Sequence, residues 1–247
     1  MAYPFPNVKI KVYPKTFLKD VRICIVFPEV LLNDDLQKCA SDFFVKNFGL
    51  ANVKMEEMPK AVSVFSKDNN IKFAFGLSRV DFSIKRDAYR SFAEISPFLQ
   101  IVYNFLSSIN CDVVTKIIFS KYNELGYEAN ENTTVAKVME GVFSGDLLES
   151  MTRRDRDTQK QLSRWEKIVR ANGNDATNST FTIEYGFSKK PESTVESSLT
   201  LKTLIESQIE QIPFSDIPAV LVEYNQILDN AFHWCVSDQV LNAMKKK

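Results

Sequence analysis

Residues 61–85 read AVSVFSKDNNIKFAFGLSRVDFSIK. Ile71, Phe73 and Phe75 alternate with Lys72 and Ala74, and Val80, Phe82 and Ile84 alternate with Asp81, Ser83 and Lys85, so each run has period two and one buried face. Gly76, Leu77 and Ser78 turn the chain between them. Runs this close pair as an antiparallel hairpin, because a parallel crossover needs about a dozen connecting residues. Val62, Val64 and Ser66 make a third alternating run, and Asp68, Asn69 and Asn70 supply turn chemistry ahead of Ile71.

Downstream the period changes. Ser91 and Glu94 have the spacing of a capping box, and Phe92, Ile95, Leu99, Val102 and Leu106 recur at helical spacing. Pro97 predicts a kink or a restart there, with Ser96 as a second cap. Val113, Thr115, Ile117 and Phe119 then alternate again, so the nucleus of the fold runs from Ala61 to Asn123.

Upstream, Val8, Ile10 and Val12 predict a first strand, and Val21 to Phe27 (VRICIVF) a more continuously apolar one that sits deep in a sheet until Pro28 ends it. A helix follows through Leu36, Cys39, Ala40, Phe43, Phe44 and Phe48, with Asn33, Asp34 and Asp35 at its start and Gly49 at its end. Val53 and Met55 then lead toward Pro59.

The second half retells this order. Val113 to Phe119 precedes a predicted helix over Thr133–Val142, and Phe181, Ile183, Tyr185 and Phe187 match the Ile71 run. Leu199, Leu201 and Thr203 match the Val80 run, and a helix from about Ser215 to residue 242 has Ile217, Val220, Leu221, Tyr224, Ile227, Leu228, Ala231, Phe232 and Cys235 on one face. Residues 158–171 are open to two readings. Thr158 and Gln161 form a capping box with Leu162, Trp165 and Val169 at helical spacing and Asn172-Gly173 as a stop, whereas strict repetition asks for a strand.

The expected fold is α+β, with antiparallel sheets covered by long amphipathic helices. The halves 1–110 and 111–247 are expected to pack as one unit, as two diverged copies of a strand, helix, several strands, long helix arrangement spanning about residues 18–110 and 111–245. The rival reading is that hairpins followed by helices are common and carry no ancestry.

Composition is that of an ordinary globular chain of 247 residues, 45% hydrophobic and 25% charged. A chain of this length buries roughly 70–75% of its unfolded surface. Lys plus Arg and Asp plus Glu both total 31, so no global field steers the protein to nucleic acid or acidic lipid. Cys24, Cys39, Cys111 and Cys235 are widely spread, without a CxxC pair, and read as buried small hydrophobes in a reducing compartment. Pro4, Pro6, Lys9, Lys11, Pro14 and Lys15 interrupt every apolar run near the start, and no stretch approaches the ~20 apolar residues of a membrane span, so a cytoplasmic protein with no membrane partner is expected.

Chemistry is sparse. The run Arg153, Arg154, Arg156, Lys160, Arg164, Lys167 and Arg170, with Trp165 among them, is the main anion-binding candidate, because arginine forks bind phosphate and an indole stacks on a base. Asp155, Asp157 and Glu166 dilute it, so weak polyanion binding from a solvated surface is the expectation. Lys85, Arg86 and Arg90 form a shorter basic cluster. His233, the sole histidine, falls nearly opposite the apolar stripe of its helix and has no second histidine or CxxC to complete a metal site. Asp34-Asp35 and Asp155-x-Asp157 lack the glycine and terminal glutamate of a calcium loop. No G-x-S-x-G, Walker A or G-x-G-x-x-G sequence occurs, and only 7 glycines are present. No catalytic, cofactor-binding or metal-binding residue is therefore assigned.

The Arg79-Val80-Asp81-Phe82 strand leading to Tyr89-x-x-Phe92, the Lys116-Ile117-Ile118-Phe119 strand closing on Asn123, and the C-terminal helix with Phe232 before Val236-Ser237 carry a resemblance. The chain resembles a sporadically distributed family of prokaryotic proteins of similar length with no assigned activity. The motif around His233 departs from that pattern. The resemblance implies this fold and a bacterial cytoplasm, and no catalytic residue. The leading expectation is a non-enzymatic binding or protein-interaction module, self-association included. Polyanion binding through residues 153–170 comes second, and an enzyme with an unfamiliar site third.

Overall fold

The computed structural model describes residues 3, 5–8, 13–29, 34–48, 52–57, 60–89, 91–109, 111, 113–128, 135–150, 165–172, 178–189, 196–208 and 211–246. The protein is α+β, built on one large antiparallel sheet. Its strands are β1 (Leu18–Val26), β2 (Asn52–Glu57), β3 (Lys60–Phe65), β4 (Ile71–Gly76), β5 (Arg79–Lys85), β7 (Lys116–Glu128), β8 (Trp165–Asn172), β9 (Thr180–Lys189) and β10 (Glu196–Glu206). They lie in the order β2-β3-β4-β5-β1-β7-β10-β9-β8, and every neighbouring pair is antiparallel. A short β6 (Val113–Val114) pairs separately with β11 (Ile212–Pro213).

The alternation in the sequence fixes which face of the sheet is covered. Ile23 of β1 stands between Phe82 of β5 and Phe119 of β7 in register, and all three are almost fully buried. Phe73 and Phe75 extend the same face along β4, where Phe73 meets Phe82 at 4.6 Å between ring centroids. The intervening residues, such as Arg22, Lys72 and Asp81, stand on the opposite face because successive side chains alternate.

Helices α1 (Asp34–Phe48), α2 (Phe92–Ser108), α3 (Val135–Val142), α4 (Gly145–Ser150), α5 (Ile217–Cys235) and α6 (Asp238–Lys245) complete the described elements. α1 packs on β3, α5 packs on β7 and β10, and α2 lies against both α1 and α5. Ile95, Leu99, Val102 and Leu106 are buried, and Phe92 reaches Phe119 at 5.8 Å. The helical stripe in the sequence is therefore the inner face of α2.

Several details differ from the sequence expectations. α2 runs unbroken through Pro97, so Ser96 lies inside it and Pro97 has no N–H to donate. Ser91 is the N-cap, but its side chain makes no capping hydrogen bond. The C-terminal run breaks into α5 and α6 at Val236-Ser237. Val236 bridges to Phe143 there, and Ser237 Oγ donates to Gly141 O at 2.7 Å while accepting from Val240 N. Met55 lies in β2, a strand that the Val53 and Met55 pattern did not announce.

Residues 165–172 are a strand rather than the helix that Leu162, Trp165 and Val169 suggest. β8 pairs with β9 and sets Ile168 opposite Ile183, with an irregularity between Val169 and Ala171. Ladder hydrogen bonds to an existing strand override a weak local helical pattern here. The capping box at Thr158 and Gln161, and the strand expected over residues 9–12, fall outside the described residues.

Counted outward from the β1–β7 seam, the first half runs β1, β5, β4, β3, β2 and the second β7, β10, β9, β8. In each, the seam strand leads through helix to a meander that returns to its side, and a long helix follows. Among the described strands the orders correspond, apart from the additional outer β2. The seam lies across the 110/111 boundary, so the two halves share one sheet.

Cys111 and Cys235 are buried as expected, but Cys39 is exposed, because Ala40 and Phe43 take the inward side of α1. Cys24 stands half-buried on the outer sheet face, and burial, with the charge and hydrogen bond of Asp81, pushes its thiol up to about 12. None of the four cysteines is in a disulfide. A short iodoacetamide pulse on the folded protein should label Cys39 first and leave Cys24, Cys111 and Cys235 protected, as peptide mass spectrometry will show; early labelling at Cys24 would contradict this placement.

Candidate functional site

The inward face of β7 does not stay apolar. After Ile117 and Phe119 the same alternation brings Lys121 and Asn123 to the covered side, where they are 6% and 5% exposed. Apolar Leu125 then resumes the pattern. Across the space from them, Asn225, Asp229 and His233 follow one another at intervals of four along α5, which puts them on one side of the helix.

These polar side chains meet. Lys121 Nζ lies 2.5 Å from Asp229 Oδ1, with the lysine side chain 7% exposed. Asn225 Nδ2 donates to the other oxygen of the same carboxylate at 3.3 Å. Burial lowers the Lys121 pKa, and the charge and hydrogen bond of Asp229 oppose that shift without cancelling it. Asn225 Oδ1 and Thr203 Oγ1, the latter on the residue opposite Lys121 in β10, are buried without a hydrogen-bond partner. Leaving a buried acceptor unpaired costs about 1–3 kcal/mol, which a folded chain tolerates where something else meets the group.

His233 is half-buried and held at both nitrogens. Its Nδ1 is 2.7 Å from the Asp229 main-chain oxygen, which only accepts, so Nδ1 carries the proton. Nε2 is then the acceptor for the Tyr13 hydroxyl at 2.9 Å. Close to Tyr13 in the chain, Lys15 N donates to Met244 O on α6 and Phe17 O accepts from Glu124 N on β7, while Val8 N donates to Asn230 Oδ1 on α5.

Tyr13, Lys121, Asn123, Asn225, Asp229 and His233 line a cavity of about 360 Å³ with an apolar wall that includes Leu18, Phe92, Phe232 and Met244. Its rim carries Arg86, from the 3-10 turn Arg86–Ala88 after β5, and Ser91 at the start of α2. A volume of this size, an apolar wall and a few convergent polar groups are the usual make-up of a small-molecule site.

A larger hollow, about 690 Å³, lies on the opposite face of the sheet over β1, β3, β4 and β5. Small side chains such as Ala61, Ser63 and Ala74 make its floor, and its arginines are already paired, Arg22 with Asp20 at 2.5 Å and Arg79 with Asp81 at 2.8 Å. The smaller cavity holds the buried Lys121–Asp229 pair.

Of the basic run, Trp165, Lys167 and Arg170 belong to β8, and the register pairs Lys167 with Glu184. Arg153, Arg154, Arg156, Lys160 and Arg164 lie outside the described residues. Arg86 of the second basic cluster stands on the cavity rim. Among the described residues no group of three or more His, Cys, Asp or Glu side chains is placed to hold a metal ion, and no helix is long and apolar enough to cross a membrane. No family model matches the sequence, and no curated protein matches it.

Proposed function

We propose that this protein is a non-enzymatic binding module whose small-molecule ligand occupies the cavity between β7, α5 and the start of α2. The observation that carries this reading is an apolar-walled cavity lined by Asn123, Asn225 and the buried Lys121–Asp229 pair. A location in a bacterial cytoplasm belongs to the same reading, supported by four cysteines outside any disulfide and by the family resemblance. The matching strand orders likewise support reading the halves as diverged copies, with the cavity beside the seam.

Ser91→Trp tests the site, because Ser91 is exposed, makes no capping bond and stands on the rim. A fragment screen by two-dimensional amide NMR should yield compounds that shift the signals of Lys121, Asn123, Asn225 and His233. In Ser91→Trp, folded to the same extent, those shifts should disappear. Fragment shifts confined to the outer sheet face would refute the reading.

A further inference from the structure

We infer that the ligand of this cavity is an aldehyde with an apolar body, held by a reversible Schiff base to the side-chain amine of Lys121; the inference rests on the binding role proposed above. Three observations on this one lysine carry it. Lys121 takes an inward position of β7 between Phe119 and Asn123, where enclosing an amine is costly. It lines the cavity, and its Nζ ends 2.5 Å from Asp229, which lines the cavity as well and keeps 23% of its side-chain exposure. Burial lowers the Lys121 pKa even against that carboxylate, so the uncharged, nucleophilic amine is easier to reach here than on a lysine in water.

The ion pair also selects the class of ligand. The Lys121 ammonium first passes a proton to the Asp229 carboxylate, whose other oxygen accepts from Asn225 Nδ2. The free amine then forms a C–N bond to the carbonyl carbon, and a proton moves from nitrogen to the carbonyl oxygen to give a neutral carbinolamine. The C–O bond breaks next, Asp229 gives its proton to the departing hydroxyl as water, and the nitrogen lone pair closes the C=N bond. What remains is a cationic iminium beside a carboxylate, so the adduct keeps the buried pair intact. An acyl donor would leave an uncharged amide and strand Asp229, and carbon dioxide would leave an anionic carbamate that repels it. Leu18, Phe92, Phe232 and Met244 in the lining suit an aromatic or aliphatic body on the aldehyde.

Benzaldehyde is the probe, added to the full chain at neutral pH with cyanoborohydride, which traps a Schiff base as a stable secondary amine that peptide mass spectrometry locates. Lys121 should be benzylated ahead of the exposed Lys38 and Lys67 by about tenfold or more, because a carbonyl seated in the cavity meets its amine as a neighbour. In the unaltered chain the rate at Lys121 should level off as benzaldehyde rises to millimolar concentration, while the rates at Lys38 and Lys67 climb in proportion. Ser91→Trp, folded to the same extent, should remove the preference. Labelling in order of exposure, or at no lysine, would overturn the aldehyde inference, and the site itself would stand if fragments still shift the signals of Lys121, Asn123, Asn225 and His233. Labelling of Lys121 that never levels off, or that survives Ser91→Trp, would overturn it too, because the amine would then be reached from outside the cavity.

Discussion

Lys121→Met should destabilise the protein by about 2–3 kcal/mol, and adding Asp229→Leu should recover most or all of the loss. Removing one member of a buried ion pair strands its partner, a cost of roughly 3–5 kcal/mol where both are fully enclosed. Asp229 keeps 23% of its side-chain exposure and its bond from Asn225, so the lower figure applies. The double variant removes both desolvation costs. That the Lys121 pKa is lowered despite the pair means that burial costs the ammonium more than Asp229 returns, which is why an apolar pair matches the native one. The lowered value also sets a sign. As pH rises toward the ordinary lysine value of 10.5, the folded chain loses this proton while the unfolded chain still holds it. The unfolded state then binds more protons, and this group's contribution to stability increases with pH through that alkaline window. Urea titrations of wild type and both variants at neutral and alkaline pH check all three statements. A single variant as stable as wild type would show that the pair carries no weight, and a double variant as poor as the single one would show that the damage lies in packing.

The period-two runs were readable because each central strand has one covered face, and a single-residue slip would have put Phe73, Phe82 and Phe119 into water. The β8 segment is open to both helix and strand for the opposite reason. Three apolar residues at helical spacing cost nothing to satisfy by chance, and what decides the segment is the ladder with β9, a partner far along the chain. The cavity left a signal that apolar patterns alone pass over. Lys121 and Asn123 continue the inward alternation of Ile117 and Phe119, and Asn225, Asp229 and His233 recur every four residues on α5. A polar residue in an inward register position is the informative case, because burial must be compensated. That the two sets face each other depends on α5 packing against β7, which no local pattern reveals.

Phe75→Ala and Phe119→Ala should each cost about 3–5 kcal/mol, the usual range for an enclosed phenylalanine, and both should displace the same unfolding transition. Phe75 lies in the first half and Phe119 in the second, each fully buried, with Phe75 edge-on to Phe105 of α2 at 5.2 Å. The two halves are joined at the β1–β7 seam from Leu18 to Val26, where Val21, Ile23 and Ile25 stand opposite Lys121, Phe119 and Ile117. Each enclosed aliphatic or aromatic side chain contributes about 1.5–3 kcal/mol, so parting the five apolar ones at the seam exposes, as an upper bound, roughly 10 kcal/mol of burial. That is comparable with the whole net stability of a typical domain, ~5–15 kcal/mol. Neither half therefore has a margin that survives loss of the other, and unfolding should be cooperative across residue 110. Circular dichroism and tryptophan fluorescence should give coincident urea transitions in wild type, shifted alike by both substitutions. Two separated transitions, one moved by Phe75→Ala and the other by Phe119→Ala, would mean that 1–110 and 111–247 fold as independent domains and that the seam only docks them.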